Sequence, residues 1–298
     1  MDRKPYIALF VSIVSVSFAA ILIKLSSMGE YPLTIAFYRL LFTTILILPF
    51  VVFFKKTRDE IKKLPRKTFL IMIGIGLILA AHFAFWITSL SFTSVASSVI
   101  LVTAHPILVG PVSHFFFKEK LSIINSIGII ISVTGVIILV TGNIQPGVET
   151  IDTLEGNILA ILGGIMAGLY ILGGRKIRKT VSVSSYAFIV YSISAIVLLF
   201  LCIVFNSRLV NISLTDFEIF IAMAIVAGLF GHTLYNWCLK HVRASVASVA
   251  LLGEPLGSTI WAILIPSIAQ IPSNYTIFGG GIILLGIYLT ARKTKTLI

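Results

Sequence analysis

Ten runs of apolar residues, each long enough to cross a lipid bilayer, account for most of this chain. A helix of about 20 apolar residues spans a hydrocarbon core of roughly 30 Å. Because lipid offers the backbone no water to bond, each run is predicted to be helical. We number the predicted helices segments 1 to 10 in chain order: Pro5–Ser27, Leu33–Phe54, Thr68–Leu90, Ser94–Phe117, Leu121–Thr141, Glu155–Gly174, Val183–Phe205, Asp216–Leu239, Ala244–Ser267 and Asn274–Ala291.

The composition agrees with a membrane protein, since 58% of the residues are hydrophobic and only 11% are charged. The longest predicted connections, Lys55–Lys67 and Gly142–Leu154, hold 13 residues each, which is too few for a soluble domain. The two cysteines, Cys202 and Cys238, are predicted to lie far apart, and no spacing typical of a metal site occurs. The sequence therefore predicts no cofactor and no metal site.

The basic residues alternate between connections in a way that predicts the orientation of the chain. With the N-terminus placed in the cytoplasm, twenty of the 23 lysines and arginines fall on the inner side, two lie within segments and only Arg208 lies outside. This distribution follows the positive-inside rule and predicts that both termini are cytoplasmic, in the plasma (inner) membrane. The net charge of +12 then faces anionic headgroups. We therefore expect the lipid bilayer to be the partner of these residues, and no nucleic acid.

Two stretches of the chain resemble each other and predict an internal repeat. They are Phe92–Pro106, preceded by His82, and His241–Pro255, preceded by His232, at an offset of 149 residues, half of the 298. Each half holds five segments, an odd number, so the second half enters the membrane from the opposite side. The predicted fold class is an all-α membrane protein, with ten transmembrane helices as two inverted five-helix repeats, 1–150 and 151–298. Such repeats are typical of secondary transporters, which bind substrates near the midplane between the halves.

The motifs within these repeats resemble a known family. They are Phe92-Thr-Ser-Val-Ala-Ser-Ser through His105-Pro106, Phe117-Lys-Glu119-Lys-Leu121, Leu239-Lys-His-Val-Arg-Ala-Ser-Val-Ala-Ser and Gly253-Glu254-Pro255. Over essentially its whole length the chain is similar to ten-helix members of the drug/metabolite transporter superfamily, with two EamA-type repeats. The resemblance implies a transporter, often an exporter, of amino acids, other metabolites or drugs. It departs from the family after segment 9, where no charged counterpart of Lys118-Glu-Lys120 occurs.

From the repeat and the resemblance we expect a secondary transporter, an exporter, that moves a small polar or amphipathic metabolite such as an amino acid by alternating access. A flippase for a lipid-linked or amphipathic molecule is the alternative, and it would need a lateral opening. An enzyme is not expected, because no His-Glu-x-x-His motif occurs and only one acid lies at membrane depth, where an aspartyl protease would need two. A channel is disfavoured because no filter motif or ring of like charge is evident. A small molecule is the predicted partner; a monomer suffices, and a dimer stays open.

Polar side chains at membrane depth are costly, so they mark candidate sites. Glu254 is the only acid away from the ends of the predicted segments, and it lies about 15 Å into segment 9 at 1.5 Å per residue. It is predicted either to exchange a proton during transport or to bond helices structurally. His105 occupies the equivalent place in segment 4. Pro106 and Pro255 follow these two residues and are candidate hinges, since each removes a helix hydrogen bond, although prolines are also common in transmembrane helices.

Polar and aromatic residues of three further segments are candidates for substrate binding. They are His82 and Trp86 in segment 3, His232, Tyr235 and Asn236 in segment 8, and Arg39 in segment 2, with Tyr38 and Tyr170 as weaker candidates. A histidine among aromatic side chains suits a mostly apolar pocket with a few polar anchors, while packing would explain the aromatic residues equally well. Arg39 is predicted to hold an anionic group of the substrate or to pair with an outer acid such as Glu30.

Overall fold

The structure is a computed structural model that describes residues 3–117, 122–143, 152–241, 250–251 and 253–291. The residues that open segment 9, 244–249, and the charged turn 118–120 lie outside the described residues. Within this part of the chain, every regular element is a helix. The helices are α1 (Lys4–Ser17), α2 (Ala19–Leu25), α3 (Pro32–Phe53), α4 (Lys55–Lys62), α5 (Arg66–Phe92), α6 (Val95–Thr103), α7 (Pro106–Phe117), α8 (Ile123–Asn143), α9 (Leu154–Ile177), α10 (Val183–Val204), α11 (Leu214–Met223), the π-helical π1 (Ala224–Thr233), α12 (Leu234–His241), α13 (Gly253–Leu264) and α14 (Asn274–Ala291).

These helices correspond to the predicted segments. Segment 1 consists of α1 and α2, segment 4 of α6 and α7, and segment 8 of α11, π1 and α12. Single helices form segments 2, 3, 5, 6, 7 and 10, and α13 lies in the part of segment 9 from Gly253 onward. In the described residues, eight helical stretches are long and apolar enough to cross a membrane, and α14 is a shorter apolar helix. The prediction of a helical membrane protein is therefore confirmed. The connection between segments 2 and 3 is not a plain loop, because it contains the mostly charged helix α4.

In the described residues, six helices begin at a serine or threonine whose hydroxyl accepts a hydrogen bond from the first turn. These caps are Ser94 for α6, Ser122 for α8, Thr153 for α9, Ser182 for α10, Ser213 for α11 and Ser273 for α14, with oxygen–nitrogen distances of 3.0 to 3.3 Å. The first backbone N–H groups of a helix have no partner within it, so a hydroxyl at this position stabilises the start. The polar residues between apolar runs thus determine where these helices begin.

The packing of the segments repeats between the two halves. Segments 2, 4 and 5 pack against their own counterparts, segments 7, 9 and 10. Segment 3 packs against segment 6, and the counterpart pair, segments 8 and 1, also packs together. Segment 4 packs against segment 6 just as segment 9 packs against segment 1. This pattern is the one expected when a pseudo-two-fold axis relates the halves.

Contacts at the segment ends show that the two halves are inverted. The Cys238 thiol, near the end of segment 8, donates to the carbonyl of Pro5 at the start of segment 1. On the opposite face, Lys24 at the end of segment 1 donates to the carbonyl of Leu90 at the end of segment 3. The connection that follows segment 3 is in turn bonded to Asp152, just before segment 6. Segments 1 and 6 therefore begin at opposite faces, and the prediction of inverted repeats is confirmed.

Candidate functional site: a cavity between the halves

A cavity of about 60 Å³ lies between the two halves, beside the break in segment 4. Segments 1, 3 and 4 line it from the first half, and their counterparts, segments 6, 8 and 9, line it from the second. This volume holds a few water molecules, well below the roughly 300 Å³ or more of a typical ligand site. Its polar and aromatic lining residues are His82, Trp86, Thr103, His105, Tyr170, His232, Tyr235 and Glu254.

His82 and Trp86 project from α5 into this cavity as a stacked pair, with ring centroids 5.8 Å apart and planes inclined by 13°. The Nδ1 of His82 lies 2.9 Å from the carbonyl oxygen of Gly163 in α9. A carbonyl only accepts, so Nδ1 carries the hydrogen, and in the neutral ring Nε2 is an acceptor. Trp86 has a buried indole N–H with no acceptor among the described residues. This pair therefore offers one acceptor and one donor.

His105 lies at a break in segment 4. The helix α6 ends at Thr103 and α7 begins at Pro106, the helix position where a missing N–H costs nothing. The imidazole lines the cavity, and its buried Nδ1 has no partner within the described part of the chain. The break predicted at Pro106 is present; movement about it stays a prediction.

His232 lies in π1, an element that the sequence did not predict. Wider π-helical turns are rare and occur frequently at functional sites. The imidazole meets the ring of Phe83 edge-on, with centroids 5.5 Å apart. Tyr235 follows one turn later and also lines the cavity. Segment 8 therefore presents two polar aromatic side chains from a locally widened helix.

Glu254 occupies the place in the second half that His105 occupies in the first. It lies in the first turn of α13, where the positive end of the helix dipole favours a negative charge. Among the described residues no group hydrogen-bonds to its carboxylate, which faces the cavity. Pro255 is buried in the same turn. Both halves thus place an ionisable residue followed by a proline at the start of a helix.

Arg39, predicted as a substrate contact, does not line the cavity in this conformation. Its guanidinium is fully buried in α3, with Cζ 4.5 Å from the ring centroid of Phe83 and 5.6 Å from that of Trp86. None of its nitrogens has an acceptor among the described residues, so the expected pairing with Glu30 does not occur. The guanidinium of Arg39 therefore lies behind the aromatic wall that Phe83 and Trp86 form.

Asn236 also lies behind the cavity wall and not in it. Its amide Nδ2 donates to the hydroxyl of Tyr170 at 2.6 Å and to that of Tyr191 at 3.2 Å. Its backbone carbonyl accepts from Nε of Arg178 at 3.1 Å. Arg178, which the charge count placed among residues facing headgroups, is only 2% exposed. Asn236 therefore positions the cavity-lining Tyr170.

Sequence reasoning ranked Tyr170 low and did not select Thr103, although both line the cavity. The available signal for Tyr170 was a polar aromatic residue within the apolar segment 6. Thr103 gave none, because its hydroxyl bonds the carbonyl of Val99 in its own helix, as such residues commonly do. Within the described residues, no group of three metal-binding side chains occurs.

Comparison with known proteins adds a family assignment. The model of the EamA-like transporter family matches residues 3–141 and 154–292. Two uncharacterized transporters of Archaeoglobus fulgidus are 26% and 23% identical, each over 98% of this chain and over 100% and 99% of their own lengths. An uncharacterized transporter of Clostridium kluyveri is 24% identical over 59% of this chain, and the match spans 58% of that relative. The chain is also similar to a protein of known crystal structure that is 16% identical in sequence. The match covers 97% of this chain and 98% of that protein, with a TM-score of 0.69, and it shows the fold alone.

Proposed function

Because the chain belongs to the EamA-like transporter family and is an integral membrane transporter, we propose that it is a secondary transporter that exports a small polar or amphipathic metabolite, such as an amino acid. The substrate binds in the cavity between the halves, which rock to open it to each face in turn. We place the protein in the plasma (inner) membrane with both termini in the cytoplasm, on the basis of its charge distribution. A single chain supplies the whole site.

The observation that carries this proposal is the symmetric lining of the cavity. Three segments of one half and their three counterparts in the other meet around it. A rocking motion of the halves about their pseudo-two-fold axis would change the access to such a cavity from both faces at once. A site buried within one half would not respond in this way.

The small size of the cavity supports a closed state in a cycle of alternating access. His82, Trp86, His105, Tyr170 and Tyr235 line it, yet each is buried. A metabolite needs more room than about 60 Å³, since ligand sites usually measure roughly 300 Å³ or more. The proposed cycle therefore requires the halves to separate before a substrate enters.

The lining chemistry supports a polar solute with an apolar portion. Imidazole, hydroxyl and indole groups and the carboxyl group of Glu254 offer donors and acceptors, while Val16, Val102, Ala167, Ile171 and Leu251 complete an apolar surface. A polar group without a partner is expensive in such a place. We therefore expect the substrate to satisfy the unpaired groups of His105 and Trp86.

Transport by the purified protein in liposomes tests the proposal directly. Labelled amino acids, nucleosides and sugar phosphates are loaded inside, and efflux is followed with and without a pH gradient. We expect one class to leave faster than from protein-free liposomes. The variant His105→Ala should lower affinity, since it removes a lining group. His241→Ala is the matched control, because His241 is exposed at the end of α12.

Two results would contradict the proposal. One is the absence of protein-dependent flux for every class in the panel, in a folded preparation of both orientations. The other is equal loss in His105→Ala and His241→Ala, which would separate transport from the cavity. Transport only from the predicted outer face to the predicted cytoplasmic face would contradict the direction of export. It would still support a transporter.

A flippase is the second candidate, and a groove on the lipid-facing surface favours it. The groove measures about 490 Å³ and lies between α1, from Tyr6 to Ser17, and the Gly253–Trp261 part of α13. The two helices touch beneath it: a Cβ on Gly257 would lie 2.7 Å from Cβ of Ser17. Val16 and Glu254 lie on the cavity side of this contact. A lateral opening here would join the groove to the cavity.

Chemical reduction of fluorescent phospholipids in the same liposomes separates the two candidates. A carrier of soluble metabolites leaves the inner-leaflet label protected from an impermeant reductant. A flippase exposes that label, so that reduction continues beyond the outer leaflet. Protein-dependent reduction without metabolite flux would favour the second candidate.

A further inference from the structure

Three acidic residues of the described chain bind serines of the opposite half from outside the cavity. Asp152 bonds Ser94 and Ser97, and the other two, Glu60 and Asp216, lie on opposite faces. On one face, Glu60 in α4 accepts hydrogen bonds at the start of α10. Its Oε1 accepts from the backbone N–H of Ser182 at 2.9 Å, and its Oε2 accepts from the hydroxyls of Ser182 and Ser185. We call Glu60, Ser182 and Ser185 the α4 latch. It ties the connection between segments 2 and 3 to the connection between segments 6 and 7.

On the other face, Asp216 in the first turn of α11 makes an equivalent set of bonds. Its Oδ1 accepts from the hydroxyl of Ser26 at 2.8 Å and from the N–H of Ser27 at 2.9 Å. Its Oδ2 accepts from the hydroxyls of Ser27 at 2.5 Å and Ser213 at 2.6 Å. We call Asp216, Ser26 and Ser27 the α11 latch. Asp216 is only 2% exposed, so these bonds replace its contacts with water.

The two latches are similar in chemistry but are not matched residue by residue. Glu60 and Asp216 lie 156 residues apart, and so do Ser26 and Ser182, whereas the repeat motifs lie 149 residues apart. In the α4 latch the carboxylate comes from the connection between segments 2 and 3, and in the α11 latch it comes from the first turn of segment 8. Ser26 and Ser27 precede α3 and α4 follows it, so the two latches lie on opposite faces.

The chemistry of each latch suits a contact that is strong when made. A carboxylate that accepts several hydrogen bonds, including one from backbone N–H, forms charge-assisted bonds, about twice as strong as neutral ones. Burial raises the pKa of Glu60, but the bonds from Ser182 and Ser185 and the charge of Arg178 outweigh this and lower it. Glu60 is therefore ionised at neutral pH. The α4 latch also lies beside Arg178, which bonds the carbonyl of Asn236 behind Tyr170.

We propose that Glu60 and Asp216 are paired gate-positioning residues for transport: each latch closes the cavity from its own face, and each opening breaks one latch while the other holds. This inference rests on the proposed function, because it assigns the contacts that alternate during the cycle. Both latches are closed here, in agreement with the small cavity. Each joins the halves to one another, so neither half can move freely while both are closed.

Thiol labelling tests the gates apart from transport. The reporter is Thr103→Cys at the cavity, in a chain whose native thiols are removed by Cys202→Ala and Cys238→Ala. A membrane-impermeant maleimide is added to one face at a time in oriented vesicles. Glu60→Gln keeps the size of the side chain but removes its charge. Since a carboxylate makes stronger hydrogen bonds than a neutral amide, we expect labelling from the α4 face to rise about tenfold or more.

Asp216→Asn should raise labelling by a similar factor from the opposite face, so the two variants shift access in opposite directions. Asp59→Asn and Glu218→Gln are matched controls on the same helices, because their carboxylates make no hydrogen bond within the described residues; both should label like the parent. If Glu60→Gln does not fold, Ser185→Ala removes one donor from the same carboxylate and should give a smaller shift in the same direction.

The proposed role of the latches would be wrong if both variants were labelled equally from the two faces, or if labelling changed in neither variant. Flux of the identified metabolite is measured in a matched set of vesicles whose chains keep Thr103, so that the reporter does not affect transport and the two failures differ. If the parent transports the metabolite and the latch variants are labelled like the parent, only the proposed role of the latches is contradicted. If the parent transports no solute but the variants shift labelling in opposite directions, the proposed function is contradicted. The role of the latches in controlling access to the cavity is then still supported.

Discussion

The two halves line one cavity with counterpart segments, but they hold their histidines differently. In the first half, α5 is an uninterrupted helix of 27 residues, and His82 is bonded to the carbonyl of Gly163. In the second half, the equivalent stretch contains π1, and no bond to the His232 imidazole occurs among the described residues. The second half also carries the cavity carboxylate, Glu254, where the first half has His105.

This difference separates what the repeat provides from what each half adds. The repeat supplies a frame with two equivalent sets of helices. The first half contributes the regular wall of the cavity, while the second contributes its carboxyl group and its less regular backbone. We therefore expect changes in the second half to alter transport more strongly than matched changes in the first.

The largest expected effect comes from the counterpart pair at the helix starts. Glu254→Gln keeps the shape of the side chain and removes the carboxyl group that faces the cavity. We expect transport to slow about tenfold or more, the factor for losing a charge-assisted hydrogen bond to the solute. His105→Gln should cost less, because it replaces one neutral polar group by another. Initial rates of efflux across a range of pH values measure both.

The pH profile of Glu254→Gln decides between its two predicted roles. If Glu254 exchanges a proton during the cycle, the variant loses the pH dependence of the parent. A slower variant with an unchanged profile and a lower thermal midpoint would assign the structural role. Transport at the parental rate with the parental profile would contradict both roles, and with them the asymmetry between the halves.

Much of the fold follows from the sequence because lipid constrains it so strongly. Backbone groups in a bilayer must bond within a helix, so apolar length alone located the spans, and the predicted bounds of segment 10 coincide with those of α14, Asn274–Ala291. The π-helical turns did not follow. Nothing in the composition of Ala224–Thr233 distinguishes it from an α-helix, and the wider turns occur where it packs against α1 and α3.

The candidate site was predictable only where the repeat marked it. The equivalent spacing in the two halves singled out the pair His82 and His232 and the pair His105 and Glu254, and all four line the cavity. The neighbours of Arg178 depend on how segments 6 and 8 pack, which local sequence does not contain. Its place in a basic cluster therefore pointed to the headgroups, whereas the fold buries it against Asn236.

A medium effect is expected from a pair of glycines, one in each counterpart helix. A Cβ on Gly228 in π1 would lie 2.3 Å from Oγ1 of Thr43, whose hydroxyl bonds the carbonyl of Arg39. Gly228→Ala should therefore destabilise the protein by about 1–3 kcal/mol, as overpacking does. A Cβ on Gly74 in α5 meets no atom within 4 Å, so Gly74→Ala should be neutral or stabilise by up to about 1 kcal/mol.

Thermal unfolding in detergent, followed by size-exclusion chromatography, measures this glycine pair. We expect the midpoint to fall for Gly228→Ala and to stay or rise for Gly74→Ala. Equal midpoints in the two variants would show that π1 tolerates a methyl group against Thr43. The regular helix α5 and the irregular helix π1 would then not differ in how tightly they pack against α3.

The smallest effect distinguishes the two histidines themselves. Both His82→Ala and His232→Ala remove a lining group, so both should lower substrate affinity while leaving membrane insertion intact. Only His82→Ala also removes a hydrogen bond, to Gly163, and a neutral hydrogen bond contributes about 1 kcal/mol. The thermal midpoint should therefore fall slightly further for His82→Ala. His82→Gln, which offers another donor near the same carbonyl, should recover part of that stability without recovering affinity. If the two alanine variants unfold at the same temperature, the bond to Gly163 does not fix His82, and the contrast in how the halves hold their histidines is wrong; if both also bind substrate like the parent, neither histidine belongs to the site.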